Sequence, residues 1–147
     1  KFFSYIHMIT PTIQRMAARR KGVVVNVIGQ GGKVASPIHL PGGSANAALM
    51  LATAGLAAGY ADQGVRVNAV NPGLTATDRL YEGFRAESKV NGLSMEEQLA
   101  KAQARQPMKR LPEPREIAEV AHFLASDRAS YVSGVVIPMD GCSTSVI

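Results

Sequence analysis

The chain holds one cysteine, Cys142, so it can form no internal disulfide, which fits a reducing compartment. No apolar run approaches the ~18 residues of a membrane span, and no signal-peptide pattern opens the chain. These absences point to a cytoplasmic protein. Aromatic residues make up only 5% of the sequence, and although the net charge is +5, the tightest basic cluster is Arg19-Arg20-Lys21. That cluster sits at the end of a helical segment, where cations complement the dipole. The charge therefore favours a helix-end role over a nucleic-acid patch. There is no His-x-x-x-His, no cysteine pair and no clustered carboxylates, so no metal site is expected. A triad assembled from Ser36 or Ser44, His39 and Asp78 has no nucleophile-elbow pattern behind it. No internal repeat or low-complexity segment breaks up the 147 residues, a length sufficient for one domain with its own core.

What is present is a succession of element signals. Phe2 to Arg20 reads as one helix with Phe2, Phe3, Ile6, Ile9, Ile13, Met16 and Ala17 along a stripe; Pro11 interrupts it and Gly22 stands where a C-terminal cap belongs. Val23–Ile28 is short, apolar and β-branched, the pattern of a buried parallel strand. Residues Gly29–Pro41 read as a flexible loop, because Pro37 and Pro41 argue against a helix opening there. Ser44–Ala61 has helical length, with Ser44 placed to cap its first turn. Alanines and glycines surround that helix, and a helix apolar most of the way round is buried, one face on a sheet and the other on a neighbour. Val65–Val70 is a second strand, ended by Asn71-Pro72-Gly73. Strand, helix, strand at this spacing make a crossover unit of an α/β fold. Segment Tyr81–Gln106 is more polar, with a short exposed helix at Met95-Glu-Glu-Gln-Leu-Ala-Lys. Glu113 or Pro114 begins a helix through Ala125, and Val135–Met139 is a third strand.

The stretch from Gly22 to Thr77 resembles the short-chain dehydrogenase/reductase family. There, a strand ending in an Asn-x-Ser-Ser-like segment delivers a catalytic Ser, Tyr-x-x-x-Lys-Ala-Ala-Leu follows, and the next strand ends in Val-Asn-x-Val-x-Pro-Gly-x-x-x-Thr. Asn26, Ala47-Ala48-Leu49, Val67-Asn68-Ala69-Val70, Pro72-Gly73 and Thr77 reproduce that frame. Phe123-Leu-Ala-Ser-Asp127 and Tyr131 through Gly141 resemble the family's last helix and strand, with Cys142 in place of the usual second glycine. The catalytic positions are changed: Gly29 stands at the Ser position, Gly42 at the Tyr and Asn46 at the Lys. A branch of the family carries a similar Gly-Ser-Ala-Gly-Asn-Ala-Ala-Leu run, which makes the loss a branch feature.

The resemblance implies a Rossmann-like doubly wound parallel sheet, of which residues 1–147 form the C-terminal half. The family's single dinucleotide-binding domain runs to ~250 residues, so an absent N-terminal half is expected. It implies NAD or NADP as cofactor and hydride transfer on an alcohol or carbonyl. It places Asn26, Asn46, Pro72, Gly73, Thr75 and Thr77 at the cofactor. It implies a homodimer or homotetramer through helix 44–61, and a flap over the substrate at 81–106. In the family the Tyr moves the proton, and its free pKa of ~10 is lowered by the Lys one turn on, which also holds the nicotinamide ribose. Gly42 has no side chain to do this, and Asn46 can bond a hydroxyl but carries no charge. Lys1 falls near the position of a helix Asn in the family's proton relay.

The polar candidates near the lost groups are Gln30, Lys33, Ser36 and His39. Histidine suits proton transfer near neutral pH, although a surface or packing role is the commoner one. Two readings stay open: an enzyme using replacement groups such as His39 or Lys33, and a non-catalytic NAD(P)-binding subunit or sensor.

Overall fold

The computed structural model of the chain describes residues 1–34 and 36–144, and of Ile38 its backbone only. Three strands, β1 (Gly22–Val27), β2 (Val65–Pro72) and β3 (Val136–Met139), form a parallel sheet in the order β1-β2-β3. β1 pairs with β2 from Gly22 opposite Val65 to Val27 opposite Val70, and β2 pairs with β3 from Ala69 opposite Val136 to Pro72 opposite Met139.

Successive side chains of a strand point to opposite faces. Val65, Val67 and Ala69 therefore share one face of β2, where α1 (Phe2–Ala18) and α2 (Leu40–Tyr60) cover them through Ile9, Ile13, Leu49 and Ala57. Val70 points the other way and packs with Ile117 and Leu124 of α5 (Pro114–Ala125). Arg66 and Asn68 share this second face and tie the sheet to the segment after α5. Arg66 donates to the carbonyls of Leu124, Ser126 and Val132 at 2.9, 3.0 and 3.1 Å, and Asn68 Nδ2 donates to the Val132 carbonyl at 2.8 Å. Helices thus lie on both faces of a parallel sheet, the doubly wound arrangement expected, and both faces of its central strand are buried.

The elements depart from the sequence reading at several points. α1 ends at Ala18 and runs through Pro11 as one helix. Gly22 is not its cap; Arg20 takes the left-handed turn, φ 54°, and Gly22 begins β1. Phe3 leaves the buried stripe, being 72% exposed while Ile9 and Ile13 are buried. α2 starts at Leu40, not Ser44, with Pro41 in its first turn, and Ser44 is an exposed residue of the helix instead of its cap. The first N–H groups of a helix have no intrahelical partner, so a proline there costs no hydrogen bond. The proline read as excluding a helix marks its beginning.

The polar segment holds two helices, α3 (Asp78–Asn91) and α4 (Met95–Ala104), where one short helix was expected. The Thr77 hydroxyl caps α3 by accepting the Leu80 N–H at 3.3 Å, and a reciprocal Ser94–Glu97 capping box opens α4. α5 begins at Pro114 as read, behind a Glu113–Glu116 capping box. The Arg110 guanidinium grips the Glu116 carboxylate there with two bonds of 2.7 and 2.6 Å.

Candidate active site

In open α/β sheets ligands bind beyond the C-terminal ends of the strands. Here those ends are built from the loop after β1, the first turns of α2, and the loop after β2. The loop after β1 continues from buried Ile28 through Gly29 into a tight turn, Gln30–Gly32. This turn lies directly on α2: a side chain at Gly32 would begin 2.6 Å from the Ala47 backbone nitrogen. These glycines hold a close packing of two backbones and do not mark a flexible loop, because only a residue without Cβ permits that approach.

His39 stands at the N-cap of α2. Its imidazole fills the space beside Gly42, where a methyl group would lie 2.4 Å from both Cε1 and Nε2, and a methyl at Gly31 would lie 3.0 Å from its Cδ2. The ring occupies the volume in which a side chain at position 42 would begin. One turn on, Asn46 is buried, and its Oδ1 accepts a hydrogen bond from Lys1 Nζ at 2.5 Å. A side chain at Gly29 would begin 3.4 Å from Asn46 Nδ2, an ordinary contact. Neither Gly29, with φ −60°, nor Gly42 has a positive φ. The three altered positions thus converge on one cluster, which the fold completes with His39 and Lys1. Lys33 follows the tight turn, and its ammonium bonds to none of these groups among the described residues.

The opposite side is formed by the loop after β2. Asn71 Nδ2 donates to the Ile28 carbonyl at 2.6 Å, joining the ends of β2 and β1, while its Oδ1 is buried without a partner among the described residues. Pro72 closes β2, and Gly73 packs against Asp140 and Gln30. Gln30 Nε2 donates to Asp140 Oδ2 at 2.8 Å, to Ser143 Oγ at 2.9 Å and to Thr144 Oγ1, fastening the loop after β1 to the segment after β3. Within that segment Cys142 sits at φ 66°, a conformation that favours glycine, and its N–H donates to Asp140 Oδ1 at 3.1 Å.

A cleft of ≈ 660 Å³ opens between the Gly73–Thr77 loop and helices α3 and α4, with Leu80, Phe84 and Gln98 in its lining. The segment expected as a flap is therefore one wall of this cleft. Thr75 Oγ1 donates to the Gly73 carbonyl at 3.2 Å, and the Thr77 hydroxyl caps α3, so both hydroxyls are oriented at the cleft edge. Asn26 lies apart from this edge: it is buried and its Nδ2 donates to Thr53 Oγ1 at 3.0 Å, tying β1 to α2. Neither Asn71 nor Asp140 was expected at the site, although Asn71 opens the Asn-Pro-Gly strand end and Asp140 lies in the segment that resembles the family's last strand. Among the described residues no group of three His, Cys, Asp or Glu side chains is placed to hold a metal, and no helix is long and apolar enough to cross a membrane.

The family described as Enoyl-(Acyl carrier protein) reductase matches residues 1–144. An uncharacterized oxidoreductase of Thermotoga maritima is 40% identical over 134 residues, 91% of this chain and 51% of its own length. The crystal structure of YwfH, an NADPH-dependent reductase involved in bacilysin biosynthesis, superposes with a TM-score of 0.91 at 31% identity, covering 100% of this chain and 56% of that one. An oxidoreductase of the short-chain dehydrogenase/reductase family from Burkholderia thailandensis superposes with a TM-score of 0.78 at 27% identity, covering 95% and 51%. The chain belongs to the short-chain dehydrogenase/reductase family, and its sheet is the Rossmann-like sheet of that family. It spans about half the length of the curated relatives it matches.

Proposed function

We propose that this chain is the C-terminal half of a single dinucleotide-binding domain catalysing nicotinamide-dependent hydride transfer between an alcohol and a carbonyl, with His39 as its proton-transferring group. The observation that carries the reading is the His39 imidazole lodged against Gly42, in the volume where the family's tyrosine side chain would start. The structure offers a suitable cradle for the cofactor. Gly73, Thr75 and Thr77 line the cleft, the buried Asn71 Oδ1, two residues before Gly73, has no partner among the described residues, and Asn46 offers an amide beside His39. The name of YwfH as an NADPH-dependent reductase supports the same cofactor class, NAD or NADP. Bound there, the nicotinamide supplies or accepts the hydride.

The residues of this chain do the rest. A phenol with a pKa of ~10 needs a neighbouring cation to exchange protons at neutral pH, whereas imidazole is the commonest general acid and base of enzymes. Imidazole therefore replaces tyrosine in its task, giving a proton to a carbonyl oxygen on reduction and taking it from the alcohol on oxidation. The walls formed by α3 and α4 enclose the substrate side. A second reading, a non-catalytic NAD(P)-binding subunit or sensor, is favoured by Gly29, which brings no hydroxyl to polarise a carbonyl. We further propose that α2 builds a homodimer or homotetramer. Leu51 on its outer face is 77% exposed, Gly55 and Gly59 there face open space, and Phe3 and Met8 lie exposed on α1.

The test is calorimetric titration of the full-length protein with NAD(H) and NADP(H), followed by a cofactor-absorbance assay over alcohols and ketones. Turnover that His39→Ala removes supports the enzyme. Binding without turnover supports the sensor. Failure to bind either cofactor overturns both.

A further inference from the structure

We infer that Lys1 supplies, from the N-cap of helix α1, the ammonium that the sequence lacks at position 46, and that Asn46 serves as its holder, so that lysine and asparagine have exchanged places across the site. This rests on the nicotinamide reading above. Lys1 and Asn46 are 45 positions apart, yet Lys1 Nζ donates to Asn46 Oδ1 at 2.5 Å. Asn46 is 2% exposed, so its Oδ1 is a fixed acceptor and not a solvated surface group. A charge-assisted bond to a buried, immobile acceptor confines an otherwise flexible lysine head to one spot. That spot adjoins the cluster of Gly29, Gly31 and His39: a methyl at Gly31 would lie 3.8 Å from Asn46 Nδ2 and 3.6 Å from His39 Nε2.

The chemistry of the pair decides its use. An ammonium carries three donors, and Asn46 uses one. The remaining two leave its positive charge available to a hydroxyl or developing oxyanion bound beside His39. The other charged groups near this place are few. α2 carries no Asp, Glu, Lys or Arg from Leu40 to Tyr60, and the Gln30–Gly32 turn carries none. Among the described residues Lys1 is thus the one cation hydrogen-bonded to the cluster, and no described carboxylate neutralises it there. Asn46 alone would supply only a neutral amide. The two together reproduce an ammonium and an amide oxygen, reached from opposite elements.

The test measures cofactor affinity, which needs no knowledge of the substrate. In the full-length protein, dissociation constants for NADH and NADPH are determined by calorimetry for the wild type and for Lys1→Met, Lys1→Arg, Asn46→Ala, the double variant Lys1→Met/Asn46→Ala, and the exchange Lys1→Asn/Asn46→Lys. Loss of one charge-assisted hydrogen bond corresponds to about tenfold in affinity. We expect Lys1→Met to weaken binding about tenfold and Lys1→Arg to retain it. The double variant should be no weaker than Lys1→Met alone, the signature of residues acting as a unit. The exchange variant should bind within about threefold of the wild type, because it restores the same two groups in the family's order. Wild-type binding that Lys1→Met leaves unchanged overturns the inference and leaves the nicotinamide reading standing. Full additivity of Lys1→Met and Asn46→Ala also overturns it. A wild type that binds neither cofactor overturns the nicotinamide reading itself.

Discussion

Gly42→Ala is the sharpest probe of the proposed site, because it acts on His39 without altering it. The added methyl would lie 2.4 Å from Cε1 and Nε2 of the ring, against a normal carbon contact of ~3.5–4.0 Å. The imidazole must therefore retreat by more than ~1 Å. It makes no hydrogen bond to a described residue and is itself exposed, so it can swing outward. Forcing a side chain off its rotamer costs ~0.5–1.5 kcal/mol. Replacing glycine by alanine inside a helix recovers ~0.5–1 kcal/mol, and Gly42 lies in the first turn of α2 with no positive φ to lose. The two terms nearly cancel, so the melting temperature should move by no more than ~4 °C. Function should respond far more strongly, since misplacing a reacting group by ~1 Å costs on the order of 10²-fold in rate. The assay is kcat under saturating cofactor, read by nicotinamide absorbance, for Gly42→Ala, His39→Ala and the double variant. The double variant should be no slower than His39→Ala alone. Gly42→Ala with wild-type kcat would refute the assignment of His39.

Position 29 should accept a hydroxyl: Gly29→Ser places its Cβ 3.4 Å from Asn46 Nδ2 with φ already at −60°. It should leave the melting temperature unchanged and raise kcat; a drop in stability would show that the packing at 29 is tighter than described. Hydrogen bonds from the Arg110 guanidinium and then from the Glu113 backbone N–H hold the Glu116 carboxyl down at about 2, below its ordinary value of 4.5. Because the folded value is the lower one, this stabilisation is fully present above pH 4.5 and is lost as the pH falls toward 2. Arg110→Met should flatten that part of a melting curve taken against pH, and an unchanged acid slope would count against the pair. Ala58→Glu and Leu51→Glu place charges on the outer face of α2 and should dissociate an oligomer, as read by light scattering. An unchanged mass for both would remove this face as the interface.

Much of the fold was legible because its rules are local. A β-branched run reads as a buried strand, a proline-led segment through Ala125 reads as α5, and Asn-Pro-Gly reads as a strand end, each within a few residues. The sequence also determined which chemistry was absent, since Gly29, Gly42 and Asn46 lack the hydroxyls and the ammonium by composition alone. α3 escaped because its composition is polar and it buries only Phe84, although Thr77 before it was a capping signal. The start of α2 was misread because proline forbids a helix interior but suits its first turn, and which applies depends on where the helix begins. What only the tertiary structure decided is what replaces the lost groups. The His39 ring, held at the N-cap of α2, meets Gly31 because the tight turn after β1 lies on α2, and Lys1 meets Asn46 because α1 and α2 lie side by side on one face of the sheet. Side-chain encounters between separate elements depend on packing angles and on the room glycines leave, and neither is a property of any local stretch of sequence.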